Sequence, residues 1–230
     1  MLFIHGLGCA GSSDFPAVAA DPALAGRRRL LVDLLGSGFS DRPGDFAYTM
    51  AAHAEVLLQW LDGLGIGEVD LFGHSMGGAV AIELAGRLGP RVRHVLLAEP
   101  NLDAGGGFVS RQIAGHSEAE YLAHGHDAML RAARLQGAHA WAGSLAQCLP
   151  AALHRQSCAL MAGGTPSWRS QLLALTVPRT LIVGAQSLPD ADSESLALAG
   201  LPVRVLGDAG HAMACDNPAG LAQLIAEVLA

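Results

Sequence analysis

The sequence contains no lysine, and all 14 of its basic residues are arginine. Chemistry that depends on an ε-amine is thereby excluded, both Schiff-base catalysis and the phosphate-cradling lysine of a P-loop. Positive charge is scarce as well. Twenty-one acidic side chains leave a formal net charge of −7, and the one short basic run, Arg27-Arg28-Arg29, offers no footprint for a polyanion, so nucleic acid is not an expected partner. Cysteine is sparse too: Cys9, Cys148, Cys158 and Cys215 show neither zinc spacing nor the density of a disulfide scaffold, and they read as free thiols in a reducing compartment. Met1 leads straight into an apolar stretch with no basic n-region and no cleavage site, so a cytoplasmic location is expected. No apolar run approaches the roughly 20 residues that a bilayer requires, so no membrane partner is expected either.

What remains is a chain of 230 residues, a one-domain length with room for an insertion. Six short apolar runs, Leu2–His5, Arg29–Asp33, Val69–Phe72, Val92–Ala98, Thr180–Val183 and Val203–Leu206, read as strands covered on both faces. Helix-period stretches alternate with them, which predicts a mostly parallel sheet in a three-layer α/β/α sandwich. One helix is expected from about Thr49 to Leu64, a second from Met76 to the Gly89-Pro90 stop, and a third at the chain's end, with Asn217 as cap and Pro218 in its first turn. Between Asn101 and about Pro178 the strand signal gives way to helical patterns bounded by glycine-rich joints. The predicted division is therefore a core of residues 1–100 and 179–230 with a helical lid at 101–178.

One motif stands where such a sheet would do chemistry. Gly73-His74-Ser75-Met76-Gly77 fits the pattern G-x-S-x-G, for which chance in this composition predicts about 0.2 matches. It directly follows an apolar strand and directly precedes a helix, the sharp turn that projects a serine hydroxyl above a sheet. A serine needs a base, and of the ten histidines His211 follows the last strand through Gly207-Asp208-Ala209-Gly210, at the same sheet end as Ser75.

These features together resemble the α/β-hydrolase fold family over essentially the whole chain. The resemblance rests on Ile4-His5-Gly6-Leu7-Gly8, the stretch Asp33 to Ser40, the Ser75 turn and Gly210-His211. It implies an oxyanion hole formed by the backbone N–H groups of Leu7 and Met76, and a lid inserted after the strand that ends at Ala98. Two departures are visible. The two strands that usually precede the His-Gly loop have no counterpart here. The place where many relatives carry the acid, after the strand Thr180–Val183, holds Ser187. Other members place the acid at the end of the preceding strand, which makes Glu99 the favoured candidate, with Asp190, Asp192 and Asp103 as alternatives.

The expected activity is that of a serine hydrolase acting on a small or medium carboxylic ester, with catalytic Ser75, His211 and Glu99 and with no cofactor and no metal. Thioester or carbon–carbon bond hydrolysis would use the same parts, and a lid-gated small-molecule receptor on this fold is the alternative from another class. His116, His124, His126 and His139 in the lid lack ligand spacing and are expected to be solvated or to line a ligand.

Overall fold

A computed structural model describes residues 1–230. The six apolar runs become β1 (Leu2–Ile4), β2 (Leu30–Val32), β3 (Val69–His74), β4 (Val92–Ala98), β5 (Arg179–Gly184) and β6 (Val203–Leu206). They form one sheet in the order β2-β1-β3-β4-β5-β6, every neighbouring pair parallel. The helices of eight residues or more are α1 (Met50–Gly63), α2 (Met76–Leu88), α3 (His126–Leu135), α4 (Pro150–Ala162), α5 (Ala191–Leu198) and α6 (Pro218–Val228). Thr49 caps α1 by accepting from the Ala52 N–H, and Asn217 caps α6 by accepting from that of Gly220.

Side chains alternate across the strands, so one sheet buries two cores. Leu2, Ile4, Val95, Leu97, Leu181 and Val183 pack on one face beneath α1, α2 and α5. Phe3, Leu96, Ala98 and Ile182 face the other way, onto Phe15, Val18 and α6. Phe3, Phe15 and Phe72 form a mutual aromatic cluster on this second face, with centroids 5.3–5.7 Å apart.

From β1 the chain turns to one side to make β2, then crosses to β3 on β1's other flank. The loops after β1 and β3 therefore diverge to opposite faces and open a crevice at the strands' carboxyl ends, the usual ligand position of such sheets. The connection from β4 to β5 contains only helices and turns, including α3, α4 and the shorter helices Phe108–Ala114, His139–Leu145 and Trp168–Ala174. No helix is long and apolar enough to cross a membrane.

Candidate active site

β3 ends at His74 and α2 begins at Met76, so a single residue reverses the chain. Ser75 does so at φ 52°, ψ −120°, a conformation disfavoured for any residue with a Cβ. Its N–H donates to Ala98 O at 2.9 Å, and its carbonyl accepts from Gly78 N at 2.9 Å and Asn101 N at 3.2 Å, which anchors the strained residue from both sides. The glycines are there because nothing else fits. A Cβ on Gly77 would lie 2.2 Å from Ile4 O, one on Gly73 2.4 Å from Gly77 O, and one on Gly78 2.4 Å from Pro100 Cβ.

Glu99, the first residue beyond β4, is the next strained position, at φ 42°. Its Oε2 accepts from His211 Nδ1 at 2.6 Å and its Oε1 from the Gly184 N–H at 3.0 Å. Burial pushes this carboxyl up, but the hydrogen bonds from His211, Gly184 and Ser187 and the His211 charge outweigh it and hold it at about 2. Ser187, at the place where many relatives carry the acid, thus helps to keep the carboxylate ionised. The His211 loop is tied down by Gln186 N to Ala209 O and by Gly210 N to Asp216 Oδ2. Gly184 permits this approach, since a Cβ there would meet Ala209 O at 2.6 Å.

The remaining carboxylate candidates lie elsewhere. Asp190 caps α5 by accepting from Ser193 N at 2.7 Å, and Asp192 and Asp103 both pair with Arg169. His74 Nε2–H donates to the His211 carbonyl at 2.8 Å. Burial, reinforced by the nearby His211, lowers His74 to about 3, so it stays neutral beside His211.

Ser75, Glu99 and His211 line one cavity of about 570 Å³ together with Leu7, Phe108, Val109, Trp141 and Leu160. No hydrogen bond joins Ser75 Oγ to His211, whose Nε2 is left without a protein partner. The Leu7 N–H has no backbone acceptor, and the Met76 N–H, opening a helix, has none within it. Trp141 Nε1–H donates to Leu7 O at 3.3 Å and braces that loop. A second hollow of about 580 Å³ lies at the other end of the strands, among Arg27, Arg28 and Arg93, and contains none of these groups.

One sequence reading changes, and two cavity residues were missed. His126 is buried rather than solvated, its Nδ1 3.3 Å from Tyr121 Oη, because the wide helical turn Tyr121–Gly125 rotates it inward. Asp14 and Cys215, which no motif marks, line the cavity. Nothing in their local sequence could have identified them, since they reach it only through the folding of the loops after β1 and β6.

The sequence model of the family described as alpha/beta hydrolase fold matches residues 1–195. A 2-hydroxymuconate semialdehyde hydrolase from Pseudomonas putida is 38% identical over 96 residues, which is 42% of this chain and 34% of that protein. The dihydrolipoyllysine-residue acetyltransferase component of the acetoin cleaving system of Cupriavidus necator is 32% identical over an alignment of 236 residues, covering 92% of this chain and 58% of that protein. The matched parts thus span about a third and somewhat over half of these curated relatives' lengths. Among solved structures, a thermophilic esterase from Thermogutta terrifontis superposes with a TM-score of 0.78 at 22% identity, over 99% of this chain and 88% of that one, a likeness of fold.

Proposed function

The chain belongs to the α/β-hydrolase fold family, and from that premise we propose that it is a serine hydrolase cleaving a small or medium carboxylic ester through an acyl-enzyme. The observation that carries the reading is the 2.6 Å contact between His211 Nδ1 and Glu99 Oε2 at the cavity that Ser75 also lines. A carboxylate accepting at Nδ1 selects the tautomer whose Nε2 carries a lone pair, the form a general base needs.

In this mechanism Ser75 Oγ attacks the ester carbonyl carbon while His211 Nε2 takes its proton, and Glu99 stabilises the imidazolium. The Leu7 and Met76 N–H groups donate to the oxyanion as it forms. Collapse breaks the carbon–oxygen bond, and the proton on Nε2 passes to the departing alkoxide. Water, deprotonated by the same imidazole, then releases the acid and restores Ser75. His74, neutral and bonded to the His211 carbonyl, positions the base without adding a positive charge beside it. Residues 101–178 act as the lid over the core of residues 1–100 and 179–230, and Phe108, Val109, Trp141 and Leu160 give the site its apolar wall.

The stretch shared with the 2-hydroxymuconate semialdehyde hydrolase raises carbon–carbon bond hydrolysis as a second reading. The muconate of that protein's name is an anion. The cavity here is lined by no arginine and by two carboxyl groups, Asp14 and Glu99, so an anionic substrate would be desolvated without a partner and a neutral ester is favoured.

Labelling with a fluorophosphonate tests the reading. Modification is expected at Ser75 and is expected to vanish in Ser75→Ala, whose turnover of p-nitrophenyl esters should fall to about a thousandth or less. A protein that takes no label and cleaves no ester would overturn the reading.

A further inference from the structure

Asp14 has no role in the mechanism above, yet it is the one carboxyl group lining the cavity apart from Glu99. It ends the helical turn Gly11–Asp14 that follows the Leu7 loop, and it meets the 101–178 segment through Ser144, whose Oγ donates to Asp14 Oδ1 at 3.4 Å. Cys9 and the Ala10 backbone add only weak neutral donors, and no charged side chain is bonded to it. No arginine lines the cavity to neutralise it, and the walls around it are largely apolar. A half-buried carboxyl held by one long side-chain hydrogen bond and with no counter-charge is an expensive feature to keep in such a wall unless something entering the cavity pairs with it. Burial raises the Asp14 carboxyl from its ordinary value, more than the donors Cys9, Ser144 and Ala10 and the nearby His5 lower it.

We infer that Asp14 determines specificity at this site by accepting a hydrogen bond from a hydroxyl or protonated amine on the acyl or alcohol portion of the ester. The inference rests on the serine-hydrolase reading of the same cavity and narrows its substrate class. The preferred esters carry a hydrogen-bond donor on an otherwise apolar chain, and esters bearing a carboxylate are rejected by repulsion. Discrimination of this kind is large because the site's own acceptor goes unpaired when the donor is missing.

The test compares p-nitrophenyl hexanoate, 6-hydroxyhexanoate and 6-aminohexanoate as substrates of the wild type, Asp14→Asn and Asp14→Leu. In Asp14→Leu the ratio of kcat/KM for each donor-bearing ester over the plain ester is expected to fall at least tenfold, with most of the change in KM. Asp14→Asn keeps an acceptor oxygen but no charge. It should hold the hydroxy ratio within about threefold of wild type while losing the amino ratio tenfold. Smaller changes in both ratios, or an equal loss on all three esters, would overturn the inference. Should Asp14→Leu fail to fold, the amino ratio of Asp14→Asn decides the matter alone. A wild type that cleaves none of the three esters and takes no fluorophosphonate would sink the serine-hydrolase reading, and this inference with it.

Discussion

Two residues of the proposed triad sit in backbone conformations that unconstrained chains avoid, Ser75 at φ 52° and Glu99 at φ 42°. Each is the first residue past the carboxyl end of a central strand, and each is held by backbone hydrogen bonds to its neighbours. Glu99 N donates to Ile182 O at 3.1 Å, as Ser75 N does to Ala98 O. The strain aims side chains that a continuing strand would direct into the sheet's faces. At Glu99 the identity of the group matters as much as its aim. An amide there can no longer accept from Nδ1 while stabilising an imidazolium, so Glu99→Gln is expected to lower turnover by about 10⁴. Asp190→Asn, at a helix cap where asparagine serves equally well, should leave turnover within about twofold. Parallel kinetics on the two variants check this, and comparable losses would refute the assignment of Glu99.

At the scale of the element, α2 shows how differently one residue type is used along a single helix. Gly77 faces β1, where an added methyl would meet the Ile4 and His5 carbonyls at 2.2 and 2.5 Å, backbone that cannot step aside. Gly86, nine residues or two and a half turns further on, is exposed and has nothing within 4 Å. Gly77→Ala is therefore expected to destabilise the fold by about 2–3 kcal/mol through overpacking. Gly86→Ala should stabilise it by about 0.5–1 kcal/mol through helix propensity. Urea unfolding midpoints moving in opposite directions would verify the pair, and a neutral Gly77→Ala would show that the close approach of α2 to β1 is softer than its geometry.

The whole molecule depends on how the 101–178 segment seats on the sheet's helices, and the seam is not fully satisfied. Where α1 meets α4, His53 Nε2 accepts from Gln156 Nε2 at 3.1 Å, while His53 Nδ1 and Gln156 Oε1 are buried without partners. Burial lowers His53 from 6.5 to about 3, as it does His74. Between those two values the unfolded chain binds protons that the folded chain refuses, so stability falls as the pH drops through this window. The expected slope is about 1.4 kcal/mol per pH unit for each histidine. Glu99 acts over a lower range: with its carboxyl held at about 2, its stabilising contribution is present above the ordinary 4.5 and lost as the pH falls towards 2. Denaturant midpoints measured from pH 7 to pH 5 should show the decline, with a shallower slope in His53→Gln. A curve that is flat over that range would contradict it.

Much of this architecture is local information. A strand buried on both faces must be apolar throughout, so β1, β3, β5 and the second half of β4 were readable as short runs, and the parallel sheet followed from the helical stretches between them. The edge strands differ from the expectation of cover on both faces, β2 being half-buried and β6 exposed at Arg204 and Val205, because each has a neighbour on one side only. The Ser75 turn was readable because three glycines at fixed offsets answer three close contacts, and the placing of His211 because parallel strands gather their carboxyl ends. Tertiary structure decided which carboxylate meets His211. Glu99 and Asp190 both follow strands that end at that face, and only the φ of Glu99 and the bond from Gly184 turn one towards the imidazole and leave the other capping a helix. It also decided that Asp14 lines the cavity and that His126 is buried. Spacing along a chain encodes what a residue's immediate neighbours require, whereas the direction of a side chain beyond the end of a strand depends on contacts made by segments some 100 residues away.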